Sequence, residues 1–388
     1  MTLIHALRGR LRAVFRSARA HQYGYQRLVA VRVSRNNLLH NCRIFQRAYA
    51  PAAVAPVLKS DAYGHGLAPA ARIFEQANPP FLVVDGYYEA LILRNEGISV
   101  PILVMGYTAT ENILKSRLPS VAYTLVDLAQ LKELAGALRR PQRFHLKIDT
   151  GMRRYGIAAD ELDAALMTVG KARNMVLEGI CSHMAKTISL DDSVAKAQIA
   201  MWNDLVHTVR EAFPGVMHFH LASTGGSYWS QDIDANVIRL GLGAYGYDNS
   251  PRRALPLKPA LSMVSTIGAV RHVAPGEGIG YGHTFIADRD MIVATVASGY
   301  YSGVDARLSN TGVFTVKGIP CPIVGRVCMN GTMIDVSAVP DVHTGDEVTL
   351  ISQAPGDINS VTNIARMIGT SQHIVLASIH HRLRRVIA

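Results

Sequence analysis

The sequence predicts an α/β protein: an N-terminal (β/α)8 TIM-like barrel followed by a mainly β C-terminal domain. Three observations carry this reading. Between residues 37 and 255, eight short apolar runs alternate with stretches of helical spacing, and eight βα units in about 220 residues is the arithmetic of such a barrel. After Pro256 the rhythm changes to short runs broken by Gly and Pro, with no long helical pattern between them, as a separate β domain requires. The 388 residues, 49% hydrophobic and 18% charged, can bury two cores, which excludes a disordered or coiled-coil chain. No uninterrupted apolar run reaches the ~18 residues that span a bilayer.

The elements follow in order. Residues 1–26 form a basic extension. Leu3, Leu7, Leu11, Val14 and Phe15 share one side of a helical pattern over residues 1–22, and Arg8, Arg10, Arg12, Arg16 and Arg19 fill much of the rest. It lacks the apolar region of a secretory signal. It is read as an extra helix packed on the domain, with membrane contact as the lesser alternative. Residues 27–36 contain the run Leu28–Val33 and are expected to join the β domain, tying the two ends of the chain together. The barrel, 37–255, draws its strands from Val54–Leu58, Phe81–Val84, Ile102–Met105, Ala122–Val126, Phe144–Ile148, Leu177–Ser182, Met217–Leu221 and Asn236–Arg239. These are mostly continuous apolar runs, as parallel strands buried on both faces should be. Helical patterns at Tyr87–Glu96, Asp127–Arg139, Asp160–Arg173 and Asp192–Phe213 lie between them, with Asp127, Asp160 and Asp192 placed for an N-cap or first turn. A doubly wound sheet is the alternative. It wants a Gly-rich turn after the first strand, and Leu58-Lys59-Ser60-Asp61 is not one. In the β domain, 256–388, strands are expected at Leu261–Val270, Met291–Val296, Gly312–Val316, Ile323–Val327, Met333–Val336 and Glu347–Leu350, then a helix near Ser360–Gly369 and a last strand at Val375–His380.

The formal charge is +11, and much of the surplus sits at the ends, where Arg382, Arg384 and Arg385 match the arginines of the first segment. No nucleic-acid-binding module accompanies it, so no nucleic-acid partner is expected; attraction of small anions and solubility account for the charge. Cys42, Cys181, Cys321 and Cys328 are scattered and form no CxxC pair, which points to neither a disulfide framework nor a metal site, and to a reducing, cytoplasmic home.

Chemistry in such a barrel collects at the C-terminal ends of the strands. There the sequence places Lys59, Lys147 with Asp149, His183, the run His220 to Ser223, Thr224, Gly225 and Gly226, and Arg239-Leu240-Gly241. Each has an ordinary explanation. Lys59 could be a solvated strand end, His183 a hydrogen-bonded near-core imidazole, Arg239 an ion-pair partner and Asp61 a turn residue. Convergence on one mouth changes that reading. A Lys, a His and an Arg beside Gly-rich turns make an anion pocket with an amine available. A desolvated amine forms Schiff bases, so a phosphate site with a reactive lysine suggests pyridoxal 5'-phosphate (PLP), with a Schiff-base aldolase as the generic competitor.

The stretch Ala55-Pro56-Val57-Leu58-Lys59-Ser60-Asp61-Ala62-Tyr63-Gly64-His65-Gly66 closely resembles the PLP-lysine segment of the alanine racemase family. Further blocks match in the same order: Leu146 to Gly156, Arg239-Leu240-Gly241 with Tyr245-Gly246, Gly280-Tyr281-Gly282, Gly299-Tyr300, and Gly325-Arg326-Val327-Cys328-Met329. The resemblance spans roughly residues 27–388. It implies a PLP-binding barrel with a β domain, assembled as a head-to-tail homodimer with shared active sites. It also implies alanine racemisation, supplying D-alanine for bacterial peptidoglycan. By position, Lys59 would hold PLP and act as one base, and Tyr281 of the partner subunit would be the other. Arg239 would face the pyridine nitrogen, and His183 would orient Tyr281. Arg154 would meet the cofactor's phenolic oxygen and the substrate carboxylate. Lys147 matches a position often carboxylated. Tyr63, Thr224, the amides of Gly241 and Leu242, and His381 would hold the phosphate. Met329 and Tyr300 would line the substrate.

This sequence also departs from the family pattern. Ser60 and Asp61 replace Ala-Asn, His381 aligns with a phosphate-binding Tyr, and Asn330 stands where Asp is common. Ala306 takes the place of a corridor Arg, though Arg307 is adjacent, and Ile188 falls where an acid often stands. These put the substrate in question more than the reaction, so a broad-specificity amino-acid racemase is the enzyme alternative. A non-catalytic PLP-binding barrel lacks the β domain and Tyr281, and a decarboxylase of this fold type carries a catalytic cysteine there. Cys328 lies within the Arg-Val-Cys-Met block of racemases and is read as packing.

Overall fold

Two units divide residues 27–388, which the computed structural model describes. The helix expected over residues 1–22 lies outside the described residues. The chain enters through β1 (Val29–Val33), a strand of the second unit, and the helix Arg35–Ala48.

The first unit, residues 38–59 and 70–258, is a closed parallel barrel. Its strands are β2 (Ala53–Pro56), β3 (Leu82–Val84), β4 (Ile102–Val104), β5 (Val121–Leu125), β6 (Gln142–Asp149), β8 (Met175–Cys181), β9 (His218–His220) and β10 (Val237–Leu240), with a two-residue β7 (Ile157–Ala158) paired on β6. Six of them run β3-β4-β5-β6-β8-β9, and β2 pairs β10 in parallel. Bridges at Val57–Val83 and Ser223–Arg239 join the two sets, closing the ring. Leu82, Val84, Leu103, Tyr123, Leu125, Phe144, Leu146, Ile180 and Leu240 are buried, which is why these segments read as unbroken apolar runs.

The helix Leu128–Ala137 begins where Asp127 accepts a hydrogen bond from the Gln130 amide at 2.8 Å, a first-turn donor that would otherwise be unpaired. Asp192 stands at the N-cap of Ser193–Ala212 without capping it; its carboxylate reaches Lys196 instead, 3.2 Å away. Ala195, Ile199, Trp202, Val206 and Val209 form the buried stripe of that helix.

The second unit comprises residues 27–37, 60–69 and 259–388. Its sheet is built on the long β11 (Leu261–Val273). β1 pairs β11 antiparallel, with Val31 opposite Met263. β14 (Met291–Val296), β15 (Val313–Val316), β16 (Ile319–Pro322), β17 (Thr332–Asp335) and β18 (Glu347–Ile351) complete most of it. Val31, Val33, Leu261, Met263, Phe314, Val316 and Val348 are buried.

Two expectations are corrected here. Residues 375–380 do not form a strand: Gln372–Ala377 is a helix that buries Val375 and Leu376, tertiary packing having overridden a β-rich composition. The last strand is instead β19 (Arg385–Ile387), parallel to β1. Residues 323–327 are also not a strand beyond a single bridge from Ile323 to Ile334. Gly325, with φ +81°, turns the chain so close to Ile279 that a Cβ there would lie 2.7 Å from its carbonyl oxygen. The sequence reading passed over a small hairpin, β12 (Gly278–Ile279) and β13 (Phe285–Ile286). Its inner residues Ile279 and Phe285 pack on Ala287, Met291, Val293 and Val324.

Candidate active site

The first unit gathers its ionisable side chains at the C-terminal ends of its strands. Arg239, at the end of β10, is 2% exposed, and its guanidinium is gripped from several sides. Nη1 donates to His220 Nδ1 at 2.6 Å and to the His220 carbonyl at 2.5 Å. Nη2 shares its two N–H groups among three acceptors, the carbonyls of Ser182 (2.6 Å) and Leu221 (2.9 Å) and, as the longest contact, His183 Nδ1 (3.1 Å). Burial lowers its pKa to about 10, which leaves it charged at neutral pH. Among the described residues the Nε–H is the guanidinium donor with no acceptor. Because arginine can only donate, His183 must accept at Nδ1, and the neutral ring therefore carries its proton on Nε2. Burial, with the charges of Arg239, Lys147, Arg154 and Lys59, holds His183 well below the usual imidazole value and so keeps it neutral.

Lys147, from β6, is buried. Burial first, then the charges of Arg239, Arg154 and Lys59, lower its pKa against an opposing contribution from Cys181. No carboxylate pairs with it among the described residues; its Nζ lies over the Tyr155 ring, 5.9 Å from the centre. Lys59 follows β2 and is half-buried, while Arg154 is exposed. Asp149 is committed elsewhere: its Oδ1 accepts from the amides of Gly151 (2.8 Å), Met152 (2.9 Å) and Arg153 (3.1 Å), shaping the loop that carries Arg154. After β9, Thr224 Oγ1 accepts from the Gly243 amide at 3.1 Å. This ties the turn after β9 to the 3₁₀ turn Leu242–Tyr245, which Gly241 opens. Lys59, Lys147, Arg154, His183 and Arg239 thus share one electrostatic neighbourhood.

In the second unit, Tyr281 occupies the tip of the β12–β13 hairpin and is 72% exposed. Gly280 and Gly282, at φ +72° and +71°, give the tip its shape. Tyr300 and Met329 are exposed side by side. The amides of Tyr300 and Tyr301 donate to the carbonyls of Cys328 and Met329, each at 3.0 Å, and a Cβ on Gly299 would overlap the Cys328 carbonyl. Tyr63 is buried, its ring 5.8 Å from that of His373. His381 is exposed and stacks on His380, which in turn contacts Tyr301. Arg307, beside Ala306, is forked onto the Asp305 carboxylate at 2.7 and 3.0 Å. Ile188, in the first unit, and Asn330 are exposed.

The residues after Lys59 adopt an unusual conformation. Ser60, Asp61, Ala62 and Tyr63 all have φ between 51° and 56°, a left-handed turn built without glycine.

Sequence reasoning named His220 only as part of a strand, and passed over His145, Glu178 and Gly179. The signal was present: His145 and Lys147 fall on the same face of β6 by the two-residue period, so a polar residue there had to point where Lys147 points.

Residues 33–249 match the family model for the alanine racemase N-terminal domain, and residues 260–387 match that for its C-terminal domain. An alanine racemase of Sorangium cellulosum is 36% identical over 366 residues, covering 90% of this chain and 96% of the relative. The structure of an alanine racemase from Clostridium difficile 630 superposes with a TM-score of 0.87 at 28% identity, over 94% of this chain and 97% of that one. A histidine racemase from Leuconostoc mesenteroides subsp. sake superposes with a TM-score of 0.86 at 25% identity, over 94% and 99%.

Proposed function

The chain belongs to the alanine racemase family and is an isomerase by that membership, and we propose that it interconverts L- and D-alanine with PLP as cofactor. The observation that carries this reading is the cationic group at the barrel mouth: Lys59, Lys147, Arg154 and His183 around an Arg239 with one donor to spare. That donor suits an acceptor such as a pyridine nitrogen, and the turns at Thr224 and Gly241 suit a phosphate. PLP, when bound, supplies an electron-accepting ring that stabilises charge at the substrate α-carbon.

Racemisation removes a proton from one face of that carbon and returns one to the other, so two acid–base groups must flank it. Lys59 would hold the cofactor and serve one face. Tyr281 from a second copy, in a homodimer, would serve the other. His183, with its proton on Nε2, can donate to the Tyr281 phenol oxygen and orient it. Arg239 keeps its own protons and so leaves the nitrogen it faces unprotonated, which moderates the ring's pull on electrons. Arg154 would hold the substrate carboxylate, with Met329 and Tyr300 lining the site. Tyr63, Thr224, His381 and the amides of Gly241 and Leu242 would hold phosphate. Lys147, whose pKa burial lowers and which has no carboxylate partner among the described residues, is suited to add carbon dioxide, and the resulting carbamate would counter the charge of Arg154. A cytoplasmic location and a role in supplying D-alanine to peptidoglycan complete the proposal; the four cysteines are all unpaired.

The departures at Ala306 and Ile188, together with the structural likeness to a histidine racemase, support one further reading, a racemase of wider scope. A chiral assay of the PLP-reconstituted chain with L-alanine, L-serine, L-lysine, L-arginine and L-histidine decides between the two. Alanine turning over more slowly than the long side chains would displace alanine as the substrate, and no racemisation of any of them would remove the activity.

A further inference from the structure

Behind Arg239 a chain of buried polar groups crosses the barrel interior. His220 Nδ1 receives Arg239 Nη1 at 2.6 Å. The other ring nitrogen of His220 lies 2.7 Å from His145 Nδ1, and His145 Nε2 lies 3.5 Å from Glu178 Oε2. Glu178 Oε1 then meets Arg143 at 3.0 Å, whose side chain reaches solvent. Both imidazoles are fully buried. Phe81 packs against each ring, with centroids 5.6 and 5.7 Å away. No cluster of His, Cys, Asp or Glu among the described residues is arranged to hold a metal ion.

The polarity of this chain is fixed by its ends. Arginine only donates, so His220 Nδ1 accepts, and a neutral His220 carries its proton on Nε2. That proton goes to His145 Nδ1, which leaves His145 with a proton on Nε2, directed to the carboxylate. The two hydrogen bonds from Arg239 to His145 donate in the same sense, and the remaining N–H of His145 faces Glu178. The last link, at 3.5 Å, is an ion–dipole contact longer than an ordinary hydrogen bond. Burial keeps His145 and His220 below the ordinary imidazole value, and so neutral. Burial also opposes ionisation of Glu178, but His145, Arg143 and His218 outweigh it and hold the carboxyl below its ordinary value.

Local backbone geometry is arranged for this contact. Phe144 and His145 are consecutive on β6, yet their partners on β8 are Leu177 and Gly179, so Glu178 is the extra residue of a β-bulge, a device that re-aims a side chain. At Gly179 a Cβ would lie 2.7 Å from His145 Nδ1 and 2.7 Å from the His218 carbonyl, so the ring occupies space that only glycine leaves open.

We propose that Glu178, acting through His145 and His220, is a positioning residue for Arg239: its carboxylate terminates the line whose direction the guanidinium sets, and so biases the charge felt by the group docked on its Nε. This rests on the reading that PLP docks there.

The test uses the full chain reconstituted with PLP and follows the pH midpoint of the bound cofactor's visible absorbance. Glu178→Gln removes a negative charge that favours protonated forms and lowers the midpoint by about half to one pH unit. Arg143→Gln unmasks that charge and raises the midpoint. His145→Gln leaves the charge but breaks the imidazole link, and follows Glu178→Gln. A midpoint unmoved in all three variants overturns the proposal, as does movement of the Glu178 and Arg143 variants in the same direction, which a general loosening would give. A Glu178→Gln shift without a His145→Gln shift also overturns it, since the effect then travels through space. Should Glu178→Gln fail to fold, the Arg143 and His145 variants carry the test. Wild-type chain that takes up no PLP fails the underlying reading instead, and is recognised before any variant is compared.

Discussion

Replacing Arg385 by Ala should loosen the turn that follows Lys59. Four successive non-glycine residues, Ser60 to Tyr63, sit at φ 51–56°, and the left-handed conformation costs roughly 1–2 kcal/mol for each. Such strain persists only where the surroundings over-determine it. Asp61 Oδ1 accepts from the Leu67 amide at 2.7 Å, and the Gly66 amide donates to the Asp61 carbonyl at 2.9 Å. From the C-terminal end of the chain, Arg385 Nε donates to the Gly64 carbonyl at 3.0 Å, and its Nη2 lies 3.2 Å from Asp61 Oδ2. The arginine also grips the carbonyls of His380 (2.8 Å) and Leu383 (2.7 Å). Truncation removes a charged donor worth about 1.5–3 kcal/mol per bond when buried. Asp61 keeps some contact with water, which softens the loss of the ion pair. The net cost is therefore on the order of 2–4 kcal/mol. Urea unfolding at neutral pH measures it. Arg385→Lys keeps the charge without the fork and should recover less than half. Asp61→Asn should cost about 1 kcal/mol in the wild type and nearly nothing beside Arg385→Ala. Arg385→Ala within ~0.5 kcal/mol of wild type, or an Asp61→Asn cost equal in both backgrounds, would refute the clamp.

Gly179→Ala should destabilise the barrel by about 1–3 kcal/mol, because the added Cβ meets a backbone carbonyl that cannot move aside; thermal unfolding checks it, and an unchanged midpoint contradicts the packing. His65 is fully buried, and burial lowers its pKa to about 4. Its folded value lies below its unfolded one, so its contribution is whole above about pH 6.5 and is lost as pH falls toward 4. Between pH 7 and 5 this amounts to roughly 2 kcal/mol, and His65→Gln should flatten the fall in unfolding free energy by that much. Tyr281→Phe should cripple racemisation and leave cofactor absorbance intact; full activity would take Tyr281 out of the mechanism. Depleting carbon dioxide should slow turnover, and intact-mass measurement under gentle conditions should find a carboxyl adduct that Lys147→Arg abolishes; an identical mass in both would remove the carbamate.

What the sequence disclosed and what it withheld follow from how each feature is encoded. The barrel strands are continuous apolar runs because both faces are buried, and that pattern survives in one dimension. Val375 and Leu376 carry the same β-rich signature, yet they form a helix, since only packing against the rest of the unit decides between the two. The placement of Lys59, His183 and Arg239 at the ends of barrel strands was legible, because position in the pattern was enough. The groups behind them were not. His145 lies two residues before Lys147, and its role depends on a bulge at Glu178 and an absent side chain at Gly179, neither of which has a periodicity. The same holds for Asp61. In the sequence it reads as an ordinary turn residue; its meaning comes from Arg385, 324 positions away along the chain. A basic C-terminal run that looked like surplus charge thus supplies the cation that fixes the backbone following Lys59. Charge composition alone therefore says little about such a residue: Arg385 differs from Arg382 and Arg384 only in where the fold takes it.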